Sequence, residues 1–344
     1  MDKKKIGILT GGGDCPGLNP AIRGVVYAAE KLGYQCIGFL EGWKGIIENN
    51  TTPLNTDIVK DIVGQGGTYL GSSRTNPYKR EGGVEAVLKT FKDNDLYALV
   101  ALGGEDTLGV ASKLYEDFKL NVVGVPKTMD NDLSKTDYTF GFDSAATLSM
   151  EALERLRDTA KSHRRAIVLE VMGRHAGWVS LYTSIAAAAD YFCIPEKKVD
   201  IDDMVAKVKE AYAKRKYALV VTSEAVDLPT TAQGEVQAKD DFGHILLKDR
   251  DCGAKLAEII EQKTGIETRH AVIGHMQRGG APTLFDRILG TRVGVGAAQF
   301  VHEGKFGVMA AVCGNEIKPV ALKEATGTLK VVNEYWYNLG EILI

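Results

Sequence analysis

One short segment combines a lysine with two carboxylates: Pro126-Lys127-Thr128-Met129-Asp130-Asn131-Asp132. It follows the apolar run 121–125, which is typical of a buried strand, and in α/β proteins ligands bind at the carboxyl ends of strands. Asp130 and Asp132 cannot both be desolvated anions at low cost. One is therefore expected to hold a metal or a proton while the other acts as a base. The alternative interpretation is a polar turn that caps a helix.

A glycine-rich segment joins the first predicted strand to the first predicted helix: Thr10-Gly11-Gly12-Gly13-Asp14-Cys15-Pro16-Gly17-Leu18-Asn19. Glycines there let backbone N–H groups approach a phosphate, assisted by the N-terminus of the helix. The segment is not a Walker A loop, because Leu18 stands where lysine is required. It is not G-x-G-x-x-G either, because Pro16 replaces the third glycine. A structural turn remains the alternative, and Asn19 followed by Pro20 predicts the N-cap and first turn of the helix.

A second cluster, Gly103-Gly104-Glu105-Asp106-Thr107, ends the predicted strand 96–102 and opens another helix. Backbone donors and acidic side chains would lie side by side there. Hard oxygen ligands next to phosphate donors indicate magnesium with a polyphosphate. Acidic residues are also common in a first helical turn because they complement the helix dipole, so a purely structural role stays open.

Basic residues occur at several other strand ends and loops. Arginine forks bind phosphate in bidentate fashion, and several converging on one site would hold a phosphorylated substrate. A single arginine is more often a solvated surface charge, but a set at strand ends favours a site. The set is Arg74, Arg165, Arg174, Arg269, His275 and Arg278.

Composition excludes several classes of protein. The 344 residues suit two domains, and 42 basic against 45 acidic residues give a net charge of -3, so no strong field attracts nucleic acid or an anionic membrane. The five cysteines are widely spaced without a Cys-x-x-Cys pair, which predicts reduced thiols in a cytoplasmic protein. The sequence contains no run of 18 apolar residues, so it predicts neither a membrane span nor a targeting segment.

Short apolar runs alternate with segments of helical periodicity, and this alternation predicts an α/β fold with a mostly parallel sheet. The polar segment 226–248 lacks periodicity and is predicted to be a long insertion. Strands are predicted at 5–9, 35–40, 96–102, 121–125, 165–171, 217–222, 271–274 and 307–312. Helices are predicted at 19–32, 107–118, 145–161, 178–189, 201–215, 252–263 and 287–302.

Five motifs in order resemble those of the 6-phosphofructokinase family, over about residues 5 to 313. They are Gly-Gly-Asp-x-Pro-Gly-x-Asn, a Gly-Gly-acidic loop, Pro-x-Thr-x-Asp-Asn-Asp, Met-Gly-Arg and Gly-His-x-Gln-Arg-Gly-Gly. The resemblance implies two Rossmann-like, three-layer α/β domains with mostly parallel sheets and an active site in the cleft between them. Residues 1–142 plus 277–327 would bind the phosphoryl donor, and 143–276 plus 328–344 would bind fructose 6-phosphate.

The resemblance also implies roles for individual residues. Asp130 matches the general base that takes the proton of the attacking 1-hydroxyl, supported by Thr128. Asp132 and Glu105 match magnesium ligands, although the family usually has aspartate at the position of Glu105. Donor-binding positions are Gly13, Arg74, Gly104, Asp106 and Lys127, of which Asp106 and Lys127 are also catalytic positions. Sugar-phosphate positions are Met172, Gly173, Arg174, Glu224, His275 and Arg278, with Thr128 and Asp130 contacting the same substrate and Arg174 also catalytic. Arg165 and Arg269 match residues that reach the 6-phosphate of a neighbouring subunit, which implies a homodimer or homotetramer.

Asp106 and Lys127 together favour pyrophosphate as the donor. The ATP-using branch of the family typically has glycine at both positions, and a carboxylate at Asp106 would repel the α-phosphate of ATP. Two like charges 4 Å apart cost on the order of 4 kcal/mol at an effective dielectric constant near 20. The alternatives are an ATP-dependent enzyme and a non-catalytic phosphosugar-binding subunit, which would need neither Asp130 nor Glu105. A dinucleotide-dependent oxidoreductase is disfavoured because the glycine fingerprint fails.

Overall fold

The computed structural model describes residues 3–228 and 251–344, and these form two units. Unit 1 contains residues 3–144 and 278–329, and unit 2 contains 145–228, 251–277 and 330–344. The divisions fall after residues 144, 277 and 329, where the family resemblance implied divisions after 142, 276 and 327. Most of the predicted insertion at 226–248 lies outside the described residues.

Parallel strands buried on both faces dominate the two sheets, which explains why their sequences read as continuous apolar runs. The strands are β1 Lys5–Thr10, β2 Gln35–Phe39, β3 Thr51–Leu54, β4 Leu96–Gly103, β5 Val122–Pro126, β6 Ala166–Val171, β7 Tyr191–Cys193, β8 Ala218–Ser223, β9 Thr268–Val272, β10 Val308–Cys313 and β11 Glu316–Ala321.

Helices alternate with these strands along most of the chain. They are α1 Leu18–Lys31, α2 Trp43–Ile47, α3 Thr56–Val59, α4 Gly83–Asp93, α5 Glu105–Phe118, α6 Phe142–His163, α7 Trp178–Ala186, α8 Ile201–Arg215, α9 Cys252–Thr264, α10 Leu284–His302, α11 Leu322–Ala325 and α12 Glu334–Leu343. Short 3-10 turns cover Asp61–Gly64, Pro77–Lys79 and Gly274–Arg278. Among the described residues no helix is both long and apolar enough to cross a membrane.

Unit 1 is built on a seven-stranded sheet in the order β11-β10-β5-β4-β1-β2-β3. The inner five strands are parallel, and the two edge strands pair antiparallel with their neighbours. Phe39, Leu99 and Leu108 are among the buried residues that pack helices onto this sheet. The carboxyl ends of β1, β4 and β5 therefore lie side by side at one edge.

Unit 2 is built on a four-stranded parallel sheet in the order β7-β8-β6-β9. Its core includes Val168 and Val220 from the sheet and Leu256 from α9. The prediction of an α/β fold with mostly parallel sheets is confirmed in both units. Each of the five cysteines is a free thiol.

Two local predictions were wrong. Helix α1 begins at Leu18 after Gly17, which has a φ of 106°, so Asn19 is not its N-cap. Instead the buried Asn19 side chain donates to the carbonyl oxygens of Gln65 and Gly66 and accepts from the N–H of Tyr69. The strand predicted at 271–274 instead spans Thr268–Val272. The prediction was wrong because this edge strand exposes Arg269 and His270 and so lacks an apolar run.

Candidate active site

The loops that follow β1, β4 and β5 carry most of the predicted donor residues. In the register of unit 1, Thr10 pairs with Leu102 and Gly103 pairs with Pro126. Because these three strands are parallel neighbours, their loops emerge at the same edge of the sheet. The structure thus brings the two glycine clusters and the Lys127 to Asp132 segment together.

Thr107 packs the two glycine clusters against each other. A Cβ atom at Gly11 would lie 2.5 Å from Oγ1 of Thr107, and one at Gly103 would lie 2.3 Å from its Cβ. The N–H of Gly11 donates to the Leu102 carbonyl at 2.9 Å, and the N–H of Gly12 donates to the Ser73 carbonyl at 3.1 Å. The expectation that these glycine N–H groups approach a phosphate therefore fails for Gly11 and Gly12, whose N–H groups are used inside the protein.

Lys127 is 4% exposed and lies over the first glycine cluster. Its N–H donates to the Gly103 carbonyl at 3.0 Å, and its Nζ donates to the Gly13 carbonyl. The Arg278 guanidinium approaches the same loop: Nη1 donates to the Asp14 carbonyl at 3.1 Å and would lie 2.3 Å from a Cβ at Gly13. Two cationic side chains therefore converge on the loop at Gly13. The family resemblance assigned Arg278 to the sugar phosphate, whereas in unit 1 it lies against the donor loop.

Burial lowers the pKa of Lys127. Asp14 and Asp132 act in the opposite direction, while the like charge of Arg278 lowers it further. Burial also raises the pKa of Cys15 to about 12, so this thiol stays neutral and is a poor nucleophile. A bound anion would offset the cost of holding two cations close together, which makes this loop suited to a phosphate group.

The segment from Thr128 to Asp132 forms a loop closed by its own side chains. Thr128 Oγ1 accepts from the N–H of Asp130 at 3.1 Å and donates to Asp132 Oδ1 at 2.9 Å. Asn131 has a φ of 52°, and its Oδ1 accepts from the N–H of Thr139 at 3.2 Å. The loop is thus rigid, and the partly exposed Asp130 is held at its turn. The two carboxylates therefore differ in role. Asp132 accepts the hydrogen bond from Thr128 and so stabilises the loop, whereas Asp130 lies at its turn.

Glu105 and Asp106 occupy the first turn of α5, directly after Gly104, and both are partly exposed. Among the described residues, no group of three or more His, Cys, Asp or Glu side chains is arranged to hold a metal. Magnesium in phosphoryl-transfer sites commonly uses only one or two carboxylates and completes its shell with substrate phosphates and water. The donors present here fit that mode of binding.

The loop that carries Arg74 is attached to the first glycine cluster. Ser72 Oγ donates to the Gly12 carbonyl, and the Ser73 carbonyl accepts from the N–H of Gly12. Arg74 itself is exposed directly after this attachment. The sequence identified Arg74 as a candidate but not the two serines. The only indication of their role was that two polar residues follow Gly71.

In unit 2, the predicted sugar-phosphate residues follow three neighbouring parallel strands. Met172, Gly173 and Arg174 follow β6, Glu224 follows β8, and His275 follows β9. Arg174 is partly exposed and His275 is exposed. The structure thus brings these five residues to one edge of the sheet.

Gly173 is a required glycine in this set. Its φ is 147°, and a Cβ there would lie 2.9 Å from Ser223 Oγ, which donates to the Gly173 carbonyl. The N–H of Glu224 donates to the Val171 carbonyl at 2.9 Å. Strand β8 therefore fixes the loop after β6 at two points.

Arg165 and Arg269 lie at the opposite edge of the same sheet. Arg165 precedes β6, and Arg269 pairs with Ile167 near the start of β9. Both guanidinium groups approach Glu267 Oε1, at 3.6 Å from Arg165 and 2.7 Å from Arg269. The length of β6 separates Arg165 from Met172 by roughly 20 Å. Within one chain, the structure does not bring these two arginines to the other predicted substrate residues.

The sequence model of the phosphofructokinase family matches residues 5–301. The pyrophosphate–fructose 6-phosphate 1-phosphotransferase of Dictyoglomus thermophilum is 49% identical over 98% of this chain and 97% of that protein. A relative of the same name from Streptomyces coelicolor is 46% identical over 97% of each chain.

A second Streptomyces coelicolor relative, ATP-dependent 6-phosphofructokinase 3, is 44% identical over 99% of this chain and 100% of that protein. The relatives named for pyrophosphate reach 46 to 49% identity, against 44% for this ATP-dependent relative, and residues at the site bear on the same distinction. The solved structure of phosphofructokinase from Saccharomyces cerevisiae superposes with a TM-score of 0.80 at 28% identity. It matches 94% of this chain, which spans only 45% of that longer chain.

Proposed function

The chain belongs to the phosphofructokinase family, and we propose that it transfers a phosphoryl group from pyrophosphate to the 1-hydroxyl of fructose 6-phosphate. The products are fructose 1,6-bisphosphate and phosphate. The observation that carries the choice of donor is the pair formed by buried Lys127 beside Gly13 and by Asp106 in the first turn of α5. Lysine suits a small, highly charged donor, whereas the carboxylate of Asp106 disfavours an α-phosphate.

Unit 1 supplies the residues that act on the reacting groups. Asp130 takes the proton of the attacking hydroxyl, and its loop is held in place by the Thr128 hydroxyl. Lys127 neutralises charge on the transferred group and on the leaving phosphate, and it does so from a desolvated position where electrostatic stabilisation is strong. Its Nζ already donates to the Gly13 carbonyl, which places the ammonium group at the donor loop.

Glu105 and Asp132 are the residues that would hold magnesium. When bound, the ion neutralises negative charge on the donor phosphates. Asp106 stays next to Glu105 in the first turn of α5 and excludes a nucleotide α-phosphate. Free thiols at all five cysteines support a reducing compartment, and we expect the reaction to take place in the cytoplasm.

Unit 2 supplies the residues that bind the sugar phosphate. Met172, Gly173, Arg174, Glu224 and His275 line the carboxyl edge of its sheet. The 6-phosphate would take further charge from Arg165 and Arg269 of a neighbouring subunit. Within one chain, the two arginines lie far from the five residues at the carboxyl edge, which supports a contribution from another subunit. Arg165 Nε is also buried without a hydrogen-bond partner among the described residues. The enzyme would then be a homodimer or homotetramer.

Initial rates with magnesium and fructose 6-phosphate test the donor directly. Pyrophosphate should exceed ATP by at least about a hundredfold in kcat/KM, which corresponds to about 2.7 kcal/mol. Asp106→Gly should gain measurable activity with ATP because it removes the repulsion. Asp203→Gly is the matched control, since it removes an exposed acidic residue from the first turn of α8 and should gain none.

Two results would contradict the proposal. Comparable wild-type rates with ATP would make the chain an ATP-dependent enzyme. Binding of fructose 6-phosphate without transfer from either donor would make it a phosphosugar-binding protein.

A further inference from the structure

Gln277 is 1% exposed and is hydrogen-bonded at both ends of its amide. Its Oε1 accepts from the N–H of Met172 at 2.7 Å, and its Nε2 donates to Ser149 Oγ at 2.8 Å. Ser149 is fully buried in α6, and its hydroxyl donates to the Ala145 carbonyl at 2.7 Å. Because the serine proton is already committed, Ser149 can only accept from Gln277, and this fixes the orientation of the amide.

The loop after β6 is consequently held from both neighbouring strands. On the β8 side, the N–H of Glu224 and the hydroxyl of Ser223 bind the carbonyl oxygens of Val171 and Gly173. On the β9 side, Gln277 binds the N–H of Met172, which lies between those two carbonyls. On the β9 side the strand ends at Val272 and no longer supplies a ladder of backbone hydrogen bonds. The Gln277 side chain supplies the hydrogen bond to the loop there instead.

We propose that Gln277 is a positioning residue for the sugar-phosphate site: it fixes the peptide of Met172, and thereby Gly173 and Arg174, from the β9 side. The proposal rests on the function proposed above for the loops of unit 2. Gln277 also lies two residues after His275 on the same 3-10 turn, so one buried amide sets the spacing between two loops that bind the substrate. Its interactions are neutral and buried, so it contributes geometry to the site without adding charge.

The test measures binding of fructose 6-phosphate by calorimetric titration, without a phosphoryl donor. Gln277→Met keeps the volume of the side chain and removes both hydrogen bonds. It should raise the Kd of fructose 6-phosphate about tenfold, equivalent to about 1.4 kcal/mol, and leave the Kd of pyrophosphate within about twofold. Ser149→Ala leaves the amide attached at one end and should raise the Kd about threefold. In the Gln277→Met background, Ser149→Ala should have no further effect, because Ser149 acts through Gln277.

Ser180→Ala is the matched control. Ser180 is a fully buried serine of unit 2 that donates to the Cys193 carbonyl at 3.0 Å, so the variant loses a buried hydroxyl hydrogen bond elsewhere in the same unit. Its Kd for fructose 6-phosphate should stay within about twofold of wild type. The proposal is overturned if Gln277→Met binds as this control does, or if the effects of Gln277→Met and Ser149→Ala simply add.

Hydrogen exchange at the Met172 amide separates this proposal from the proposed function. Gln277→Met should speed that exchange at least about tenfold, because it removes the acceptor. If wild type bound no fructose 6-phosphate, the function proposed for unit 2 would fail. Faster exchange would then still confirm the structural role of Gln277, and unchanged exchange would overturn it.

Discussion

The two units arrange their functional loops at the carboxyl edge of a parallel sheet, but they differ in the groups that hold those loops. In unit 1, charged side chains act alongside neutral bonds such as that of Ser72: Lys127 binds the carbonyl of Gly13, and Arg278 binds that of Asp14. In unit 2, neutral groups hold the loop, through the Gln277 amide and the Ser223 hydroxyl. Charge thus concentrates where a phosphoryl group would be transferred, and neutral buried bonds fix the loop that would recognise the sugar.

This contrast has an energetic reason. Two cations at one buried loop are unfavourable for the free protein and favourable once a phosphate is bound, so unit 1 gains most from binding its anion. The neutral bonds of unit 2 keep the same strength with or without substrate. Changes in unit 1 should therefore alter turnover and use of the donor, whereas changes in unit 2 should alter the affinity for the sugar phosphate.

The largest effect is expected at Asp130. Asp130→Asn keeps the size of the side chain and abolishes its ability to accept a proton, so kcat should fall by roughly two to four orders of magnitude with little change in KM. Steady-state kinetics with both substrates measures this. Asp137→Asn is the control and should keep the wild-type kcat, since Asp137 Oδ2 accepts from the N–H of Gly314 at 2.6 Å and an amide oxygen can do the same.

Asp130→Asn retaining more than about a tenth of wild-type turnover would show that Asp130 is not the base. Asp132 would then be the candidate. A large rise in KM for fructose 6-phosphate would also break the contrast between the units, because it would assign substrate affinity to unit 1.

The next largest effect is expected at Lys127. Lys127→Met fills the buried space without a charge and should lower kcat/KM for pyrophosphate roughly a hundredfold, because stabilisation of the transferring group is lost. The pKa of Lys127 is lowered by burial, so its charge is lost as pH rises through a value below 10.5. The pH profile of wild-type kcat/KM should therefore fall on its alkaline side, and the profile of Lys127→Met should lack that fall. An unchanged alkaline limb in the variant would show that another group titrates.

A smaller effect is expected from mixing two inactive variants. Asp130→Asn and Arg165→Ala damage different components of the proposed shared site, so exchange of subunits should restore about a quarter of wild-type activity in an equal mixture. The site of an Arg165→Ala chain would receive an intact arginine from an Asp130→Asn partner. Activity that stays at the level of the separate variants, with exchange shown by mass spectrometry, would mean that each site is built from one chain.

Much of the fold followed from apolar periodicity, and its failures have local causes. Strand β9 was misplaced because it is an exposed edge strand with Arg269 and His270 on its surface, and β11 was missed because Lys318 and Pro319 interrupt its pattern. Helix α4 was missed although Val87 and Phe91 repeat at helical spacing. In these segments, packing against the rest of the protein determines the secondary structure more than local propensity does.

The site was predictable in its residues more than in its bonds. Lys127 and Asp130 stand out by type and position, whereas the attachment of Gly12 to Ser73 and of Met172 to Gln277 joins segments distant in sequence. A sequence shows which hydrogen-bonding groups could bind a ligand, but not which of them already form hydrogen bonds inside the protein. That is why Gly11 and Gly12 were expected to face a phosphate and instead use their N–H groups to join loops.

The smallest effect on activity, and a test of buried charge away from the loops, is expected at Asp286 in unit 1. Asp286 is fully buried, and its Oδ2 accepts from the N–H and the hydroxyl of Ser144 at 2.8 and 2.6 Å. Burial nonetheless raises the pKa of Asp286 from 3.8 to about 6, against the opposing effect of those bonds. The native state therefore holds a proton that the unfolded chain releases, so stability present below pH 3.8 is lost as pH rises through about 6. The loss amounts to about 3 kcal/mol at most. Urea unfolding of wild type and Asp286→Asn between pH 4 and 7 measures it: wild type should lose stability relative to the variant across this range, while both keep the same kcat at pH 7. A difference between the two proteins that does not change with pH would mean that the bonds from Ser144 keep the carboxylate ionised, and that unit 1 tolerates buried charge outside its loops as well as within them.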